Sequence, residues 1–450
     1  MLTPARLGGA LATLLVAITG LSLLGAGTTT AQPASRTVSH EPVVRILTTD
    51  SARRIEIGDV IDASDKSSTG DRVIIRPPDG SDAFTLPTPF TIQATDNFFV
   101  IRRGDETMRF RPRSLPDSTK VTEGLEIAPV APRGAPERHV VVGGVEQPGD
   151  IRVHVVDSGT ALDVVALIDM EEYIAGVIAK ELYSTWPRAA FQAQAVAARS
   201  YALHERERAR ESQRHYDLVN TTQDQVYGGR TQLRVARRAA ETTRGIVLSD
   251  RGRLLRAYYS STCGGRPASA EDTFPVGRAY SYNRARPLQA NDREHHCQQS
   301  RYYRWSRSRD ADELTLRVRT FGRNRSRPDV AALSTISEIR QLAHNDAGRP
   351  SKYRVIDIHG KAVDFSAEDL RVASNTAASG LPSPKMDDRV LSGDFLVISS
   401  GSTLRFEGRG FGHGVGMCQF GCKALAQQGR AWPDILSVYY PGARLVQAYD

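Results

Sequence analysis

Glu181 is the residue whose type and position best suit acid catalysis. It ends a predicted helix, and it follows the apolar residues of one helix face, Ile174, Val177 and Ile178, by seven, four and three positions. Desolvation on this core-facing side and the negative end of the helix dipole both raise the pKa of a carboxyl group. A carboxyl that stays protonated near neutral pH suits a general acid for glycosidic cleavage. The alternative is a structural carboxylate that reaches solvent or pairs with a neighbour such as Arg199.

The stretch FEGRGFGHGVGMCQFGCKALAQQG, residues 406–429, carries a glycine at every second position from 408 to 416. It does not fit the G-x-G-x-x-G fingerprint of a dinucleotide site, because the third glycine position is occupied by Val415, and the lysine of a phosphate-binding loop is missing. In an extended chain these glycines share one face. They would then leave bare backbone on which a flat, hydroxyl-rich ligand such as a sugar could lie. The alternative is that they let another element pack closely.

Histidine and cysteine residues offer candidate metal ligands. His413, within the glycine stretch, has three interpretations: a proton shuttle, a metal ligand, or a packed histidine that donates to a carbonyl. Because it is a lone histidine, the third interpretation is favoured. Cys418 and Cys422 are spaced for a shared metal or a third cysteine rather than for a bond to each other. With Cys263 and Cys297 they could form an all-thiolate zinc site, and His295 and His296 widen the choice of ligands. A structural Cys263–Cys297 disulfide is the favoured interpretation, and the metal site and free thiols are the alternatives.

The elements that must position these residues change in character near residue 169. From Val43 to about Val165, short alternating apolar runs between Gly, Pro and Asp clusters predict strands. Asp169 then opens the first helix, with Glu172 as the returning partner of a capping box. A second helix follows Pro187. Its Gln194 and Arg199 either point into a cleft or lie on the surface.

Further along, the sequence predicts a strand pair with its turn at Asp250–Gly252, a helix around 328–344, and a closing helix from about 416 to 428. The expected fold class is α+β, with a β-rich N-terminal region at 43–150 and a mixed helix and strand domain at 151–450. That domain would contain the cleft.

Composition and the N-terminal segment indicate an exported protein. Arg6, an apolar run from Leu11 to Leu24 and small residues up to Ala31 predict a signal peptide at 1–31, with an uncleaved membrane anchor as the alternative, and 32–42 as a flexible lead. The formal charge of +8 and the pI near 9.4 suit an anionic envelope polymer. No nucleic-acid motif is found. We expect a periplasmic or envelope location.

Four blocks of the sequence, in the same order, resemble the SpoIID/LytB family of sporulation stage II protein D and amidase-enhancer-like proteins. The blocks are LIDMEEYIAGVIAKELYSTWPRAAFQAQAVAARSYAL, TTQDQVYGG, AYYSSTCGG and GRGFGHGVGMCQFGCKALAQQGRAWPDILSVYYPG, and they span about residues 150–445. The resemblance implies an exported lytic transglycosylase that acts on peptidoglycan glycan strands, including strands stripped of stem peptides. It implies no obligatory cofactor. A cell-wall amidase is an expected partner, and nucleic acid is not.

The family's catalytic glutamate maps to Glu181. Its implied role is to protonate the glycosidic oxygen and then to act as base on the muramic acid C6 hydroxyl, closing a 1,6-anhydro ring without a second carboxylate. Asp224 and Glu271 are weak candidates for such a partner. The expected substrate-binding residues within the blocks are Gln194, Arg199, Ser200, Tyr227, Ser260, Ser261, Gly412, His413, Gly414 and Gln419. The alternative function is a glycan-binding enhancer of a separate amidase, without catalysis.

One family feature is not carried over. Some clostridial relatives bind zinc through a histidine and cysteine cluster just before the Q-x-Y block. The corresponding segment here, HYDLVNTTQDQVY, keeps His215 but has no cysteine. We therefore do not expect that zinc site.

Overall fold

The computed structural model describes residues 40–62, 68–70, 72–112, 124–130, 138–291 and 296–450. The predicted signal peptide, the lead up to residue 39, and His295 lie outside the described residues. The end of the lead is tied to the first helix, since the Glu171 amide donates to the Glu41 carboxylate at 2.6 Å and the Met170 amide donates to the Pro42 carbonyl.

The strands of the described residues are, in chain order, β1 (Val43–Ala52), β2 (Arg54–Asp62), β3 (Ser68–Gly70), β4 (Arg72–Arg76), β5 (Phe84–Pro87), β6 (Phe90–Thr95), β7 (Phe98–Arg103), β8 (Glu106–Phe110), β9 (Leu125–Pro129), β10 (Arg138–Val142), β11 (Val145–Gln147), β12 (Asp150–Val156), β13 (Ala161–Asp169), β14 (Leu218–Val219), β15 (Ile246–Asp250), β16 (Arg253–Leu254), β17 (Tyr259–Ser260), β18 (Trp305–Asp310), β19 (Ile336–His344), β20 (Pro350–Asp357), β21 (Ala362–Ser366), β22 (Phe395–Ser400), β23 (Thr403–Gly408), β24 (Met417–Cys418) and β25 (Arg444–Gln447). The α-helices are α1 (Met170–Glu181), α2 (Arg188–Glu211), α3 (Arg234–Thr242), α4 (Ala270–Thr273), α5 (Ala311–Asn324), α6 (Pro328–Ala331), α7 (Ala367–Ser374), α8 (Gln419–Gln427) and α9 (Trp432–Tyr439).

The N-terminal part is β-rich and the rest mixes helices with strands, so the predicted α+β class is confirmed. One sheet has the order β14-β1-β13-β12-β9-β4-β5, and a second has the order β11-β10-β2-β6-β7-β8, with β3 paired to β2. Side chains of both sheets and of α1, α2 and α8 enter one hydrophobic core. This core contains residues from both sides of position 150, the predicted domain boundary.

Strand β13 explains why this core is continuous. It lies between β1 and β12, and its first six residues are all buried. A strand covered on both faces has no solvent side, so its apolar residues run without alternation. The strand leads directly into α1, and the core therefore fixes where that helix begins.

Helix α2 is the central helix. It is alanine-rich, and alanines on most of its faces are buried, which lets α1, α3, α8 and α9 pack against it. Its N-terminus follows Pro187, as predicted. The capping-box prediction for α1 is wrong, because the Asp169 side chain makes no cap hydrogen bond and Glu172 instead pairs with Arg237 at 2.8 Å.

A second core lies between β17 and β24 in the chain. It contains buried residues from Trp305 to Phe406 and is built from two three-stranded sheets, β18-β23-β22 and β19-β20-β21, together with α5 and α7. The prediction of a helix at 328–344 is wrong, because Ile336–His344 forms β19, whose apolar residues pair with β20. Only the four residues of α6 are helical there.

The strand pair turning at Asp250–Gly252 is confirmed as β15 and β16. The closing helix α8 begins three residues later than predicted. Among the residues that the structure describes, no helix has the length and apolar character needed to cross a membrane.

Candidate active site

Glu181 is the last residue of α1, and its side chain is half-buried. The helix stops there because Leu182 takes an extended conformation while its amide still bonds the Ile178 carbonyl. The carboxyl is therefore held at the end of a helix whose preceding turns are in the core. Partial exposure leaves it within reach of a ligand in solvent.

Three donors from distant parts of the chain meet at this carboxyl. Gln419, the first residue of α8, donates from Nε2 to Glu181 Oε2 at 2.9 Å. The Tyr259 hydroxyl and the Val226 main-chain amide also hydrogen-bond the Glu181 carboxyl. The site thus joins α1, the segment after β14, strand β17 and helix α8.

Tyr259 is itself held by a hydrogen-bond relay. Gln225 Nε2 donates to the Tyr259 hydroxyl at 3.1 Å and to the Ala198 carbonyl at 3.2 Å, while Gln225 Oε1 accepts from the buried Tyr173 hydroxyl at 3.1 Å. Since the Tyr259 oxygen accepts from Gln225, its own proton is free to point at Glu181. Sequence reasoning missed Tyr259 and Gln225, although both lie inside the quoted blocks AYYSSTCGG and TTQDQVYGG.

Burial dominates the electrostatics of Glu181. Desolvation raises the pKa of its carboxyl, and the bonds from Gln419, Tyr259 and Val226 lower it by a smaller amount. The net effect is a raised pKa, which favours the protonated form that a general acid requires.

Gln194 and Gln419, both predicted for the site, lie together. The Gln419 amide nitrogen is 3.5 Å from Gln194 Oε1, and the Gln194 side chain is fully buried. Gln194 Nε2 and the buried Ser260 Oγ, next to Tyr259, have no hydrogen-bond partner among the described residues. Ser261 lies beside them and accepts from the Phe420 amide through its carbonyl. Two polar atoms are therefore unused close to the groups that hold Glu181.

Arg199 and Ser200 do not lie in the cleft, so their prediction as substrate-binding residues is contradicted. Both side chains are fully buried. The Arg199 guanidinium pairs with Glu171, not Glu181, at 2.5 and 2.9 Å. Ser200 Oγ donates to the Val196 carbonyl at 2.6 Å and accepts from the Leu248 amide at 2.8 Å. A glycan cannot reach either residue without opening the core.

Tyr227 is also a packing residue, contrary to its prediction as a substrate-binding side chain. It is buried, and its ring lies 5.3 Å from that of Tyr173. A Cβ on Gly176 would come within 2.4 Å of the Tyr227 ring. The glycine in α1 therefore admits this ring rather than a ligand.

The alternating glycines are not an extended strand, so the expected bare floor with Gly412 and Gly414 facing a sugar is wrong. Gly410, Gly412, Gly414 and Gly416 all have φ between +70° and +95°, a left-handed conformation that favours glycine. A Cβ on Gly414 would lie 2.9 Å from the guanidinium carbon of Arg349. One on Gly412 would lie 3.1 Å from the Ser260 Cβ. The segment packs closely against the protein itself, which was the alternative interpretation.

His413 braces this segment. Its Nδ1 accepts from the Val415 amide at 3.0 Å, and the ring also hydrogen-bonds the main chain of Tyr259. Desolvation lowers the pKa of the ring to about 4, so the imidazole is neutral at physiological pH. His413 thereby helps to position Tyr259, whose hydroxyl hydrogen-bonds the Glu181 carboxyl.

Three of the four cysteines lie close together, and the fourth lies apart from them. Cys263, Cys297 and Cys418 have their sulfur atoms within 4.8 Å of one another, whereas Cys422 Sγ contacts the Ala190 carbonyl at 3.9 Å. Cys422, on α8, therefore lies outside the group that Cys418, immediately before α8, forms with Cys263 and Cys297. The predicted Cys263–Cys297 disulfide is not formed, since these two sulfurs are 3.7 Å apart.

The remaining sequence candidates lie elsewhere. His215 Nε2 pairs with Asp163 at 2.7 Å. The two Asp224 oxygens accept from the Tyr201 hydroxyl and the Val219 amide at 3.0 and 2.9 Å, and Glu271 is exposed on α4. These contacts do not bring a second carboxylate to Glu181.

Two regions of the chain match known family models. Residues 158–249 match the family model described as stage II sporulation protein (SpoIID), and residues 281–416 match a domain of unknown function, DUF8618. The first match contains α1 and α2, and the second contains the second core.

Three relatives illustrate the similarity. An uncharacterized protein of Brachyspira hyodysenteriae is 27% identical over 68% of this chain and 73% of its own length. The amidase enhancer of Bacillus subtilis is 25% identical over 60% of this chain but only 40% of its own length. Stage II sporulation protein D of Bacillus subtilis is 27% identical over 64% of this chain and 78% of its own length.

The SpoIID match covers the two helices that carry Glu181 and Gln194. The chain is similar to members of the SpoIID/LytB family, and its residues 158–249 match the SpoIID family model.

Proposed function

We propose that this protein is an exported lytic transglycosylase of peptidoglycan, located in the periplasm or cell envelope, with Glu181 as its catalytic acid and base. The observation that carries the proposal is the Glu181 carboxyl, which is half-buried, has a raised pKa and is held by Gln419, Tyr259 and Val226. Residues from all four sequence blocks meet there. A purely structural carboxylate would gain more from a cationic partner, which the described contacts do not provide.

In the proposed reaction, the Glu181 proton passes to the glycosidic oxygen between N-acetylmuramic acid and N-acetylglucosamine as the bond to C1 breaks. The resulting carboxylate takes the proton of the muramic acid C6 hydroxyl, whose oxygen forms the new bond to C1. Glu181 ends in its starting protonation state and no water is consumed. One carboxyl is sufficient for this intramolecular route, in contrast to the paired carboxylates of ordinary glycosidases.

Neighbouring groups supply sites for binding the strand. The unpartnered Gln194 Nε2 and Ser260 Oγ lie beside the groups that hold Glu181, but both atoms are buried and would meet a sugar only if the site opened. Tyr183, two residues after Glu181, has 64% of its surface exposed and its ring lies 5.8 Å from that of Trp186. An exposed aromatic ring beside the acid suits the apolar face of a sugar. Sequence reasoning missed Tyr183, and its place directly after the glutamate-leucine pair was the available signal.

The test is the release of 1,6-anhydro-muramic acid ends from purified glycan strands. We expect Glu181→Gln to reduce this release by at least about 100-fold, because it removes the transferable proton and keeps the shape of the side chain. The exposed Glu271→Gln is the matched control and should retain wild-type activity. If Glu181→Gln releases anhydro ends at the wild-type rate, the catalytic assignment is wrong.

The similarity to the Bacillus subtilis amidase enhancer favours a second candidate, a glycan-binding protein that stimulates a separate cell-wall amidase. In that case wild type and Glu181→Gln would both release no anhydro ends, and both would increase the rate of an added amidase. Assaying the two variants with and without an amidase separates the two functions.

A further inference from the structure

The described residues contain a buried cluster of three cysteines, which the proposed reaction does not use. Cys263 lies in the loop after β17, Cys297 in the loop before β18, and Cys418 immediately before α8. Each is at most 2% exposed. We infer that Cys263, Cys297 and Cys418 bind one zinc ion as thiolates, and that Cys422 takes no part.

The sulfur positions fit a shared ion better than a disulfide. All three lie within 4.8 Å of one another, and the Cys263 and Cys297 sulfurs are 3.7 Å apart. Tetrahedral thiolates with Zn–S bonds of about 2.3 Å have sulfurs about 3.8 Å apart. A disulfide requires about 2.05 Å. A water molecule would complete the tetrahedron as the fourth ligand.

Hydrogen-bond donors point at the sulfur atoms. The Cys263 amide donates to Cys418 Sγ at 3.4 Å, and the Thr262 side chain and Gly265 main chain hydrogen-bond Cys297 Sγ. Outer donors of this kind orient metal-bound thiolates and stabilise their charge.

The local charge also suits such an ion. Zinc with three thiolates has a net charge of −1, and burying it requires a nearby cation. The buried Arg349 guanidinium donates to the carbonyls of Cys263 and Arg266 at 3.4 and 3.0 Å. Arg304 donates to the Gly264 carbonyl at 3.2 Å. Two arginines therefore face the loop that carries the first cysteine.

The ion would connect three segments that are distant in sequence. Cys418 directly precedes Gln419, whose side chain donates to Glu181. Zinc at this point would fix the start of α8 against the Cys263 loop. Through Cys297 it would also hold the segment that leads to the second core. Its role is structural, and it is independent of whether Glu181 performs catalysis.

The test is metal analysis of the purified full-length protein, prepared without chelators. We expect about one zinc ion per chain in the wild type and in Cys422→Ser, the matched control on α8, and a loss of at least about tenfold in Cys297→Ser and Cys418→Ser. Chelator dialysis should lower the melting temperature of the wild type, and Zn²⁺ alone should restore it. Co²⁺ added to the reduced, metal-free protein should give thiolate-to-cobalt charge-transfer absorption.

Two results would overturn the inference. One is a wild-type protein that lacks zinc and, after reduction, binds neither added Zn²⁺ nor Co²⁺; a Cys263–Cys297 disulfide in its mass spectrum would explain that result. The other is a folded Cys418→Ser protein that retains one zinc per chain. Because these measurements do not involve glycan cleavage, they remain decisive even if the proposed enzymatic function is wrong.

Discussion

At the scale of single residues, opposing influences on one carboxyl define the site. Burial raises the pKa of Glu181, while three hydrogen bonds lower it. The bonds favour the charged form and limit the rise in pKa, and without the burial the carboxyl would be ionised at neutral pH. Tyr259 is the partner that can be altered most cleanly, since removing its hydroxyl leaves the ring in place.

The first prediction concerns Tyr259→Phe. Loss of a donor to the charged form raises the pKa of Glu181, so the acid stays protonated to higher pH. The fall in anhydro-end release on the alkaline side of the pH–rate profile should therefore move to higher pH. Profiles of the two proteins measured in the same buffers provide the check. A shift to lower pH would show that Tyr259 does not donate to the carboxylate.

A second residue-scale prediction concerns Tyr183→Ala. If the exposed ring binds a sugar face, its loss should raise KM for glycan strands by about tenfold, the equivalent of about 1.4 kcal/mol, with a smaller change in kcat. Tyr280→Ala is a control, because that ring is also exposed but lies in the 3-10 helix Arg278–Arg284, which follows α4. Equal KM values for Tyr183→Ala and wild type would exclude the stacking role.

At the scale of elements, the glycine segment between β23 and β24 decides how α8 reaches α1. Gly416 is its tightest point, since φ is +70° and an added Cβ would lie 2.0 Å from the Tyr258 carbonyl oxygen. The segment thereby sets the parallel pairing of Tyr259 with Met417 and of Ser260 with Cys418. Gln419 follows directly, which is how a packing feature determines the position of a partner of Glu181.

We therefore predict that Gly416→Ala destabilises the protein more than Gly429→Ala. Both glycines have positive φ, but nothing lies within 4 Å of a Cβ at Gly429. Gly429→Ala should lower the free energy of unfolding by about 1–2 kcal/mol, the cost of a left-handed conformation at a residue with a Cβ. Gly416→Ala should lower it by more, because its Cβ must also displace β17. Urea unfolding of both variants gives the comparison, and equal losses would contradict the packing role.

At the scale of the whole molecule, two hydrophobic cores and a strong positive charge are combined in one chain. The first core supports α1, α2 and α8, and the second is inserted between β17 and β24, the strands that flank the site. The formal charge of +8 favours binding to an anionic polymer. Glycan strands without stem peptides still carry the lactyl carboxylates of muramic acid.

Binding to such strands should weaken as salt is added. We expect the bound fraction to fall between about 0.05 and about 0.5 M NaCl, because the screening length shortens several-fold over this range. Chitin oligosaccharides have the same acetamido sugars without carboxylates, and their binding should change little. Co-sedimentation measures the strands and calorimetry the oligosaccharides. Salt-independent binding of the strands would contradict an electrostatic contribution.

The sequence by itself determined the local features. The apolar stripe Ile174, Val177 and Ile178 predicted α1 and placed Glu181 at its end, and alternating runs before residue 165 predicted the β-rich part. Periodicity is a local signal, and it suffices where one element meets one core. The same signal failed at 328–344, where apolar residues compatible with a helix pair with β20 as a strand.

Only the tertiary structure decided which groups surround Glu181. Gln419 is 238 residues away from it in the chain, and no local pattern states that their side chains touch. The fold also separated Arg199, which pairs with Glu171 inside the core, from the site it was expected to join. It bent the alternating glycines into left-handed turns and grouped three cysteines while excluding the fourth. Hydrogen bonds and burial depend on which distant segments pack together, and that is settled only when the chain is folded.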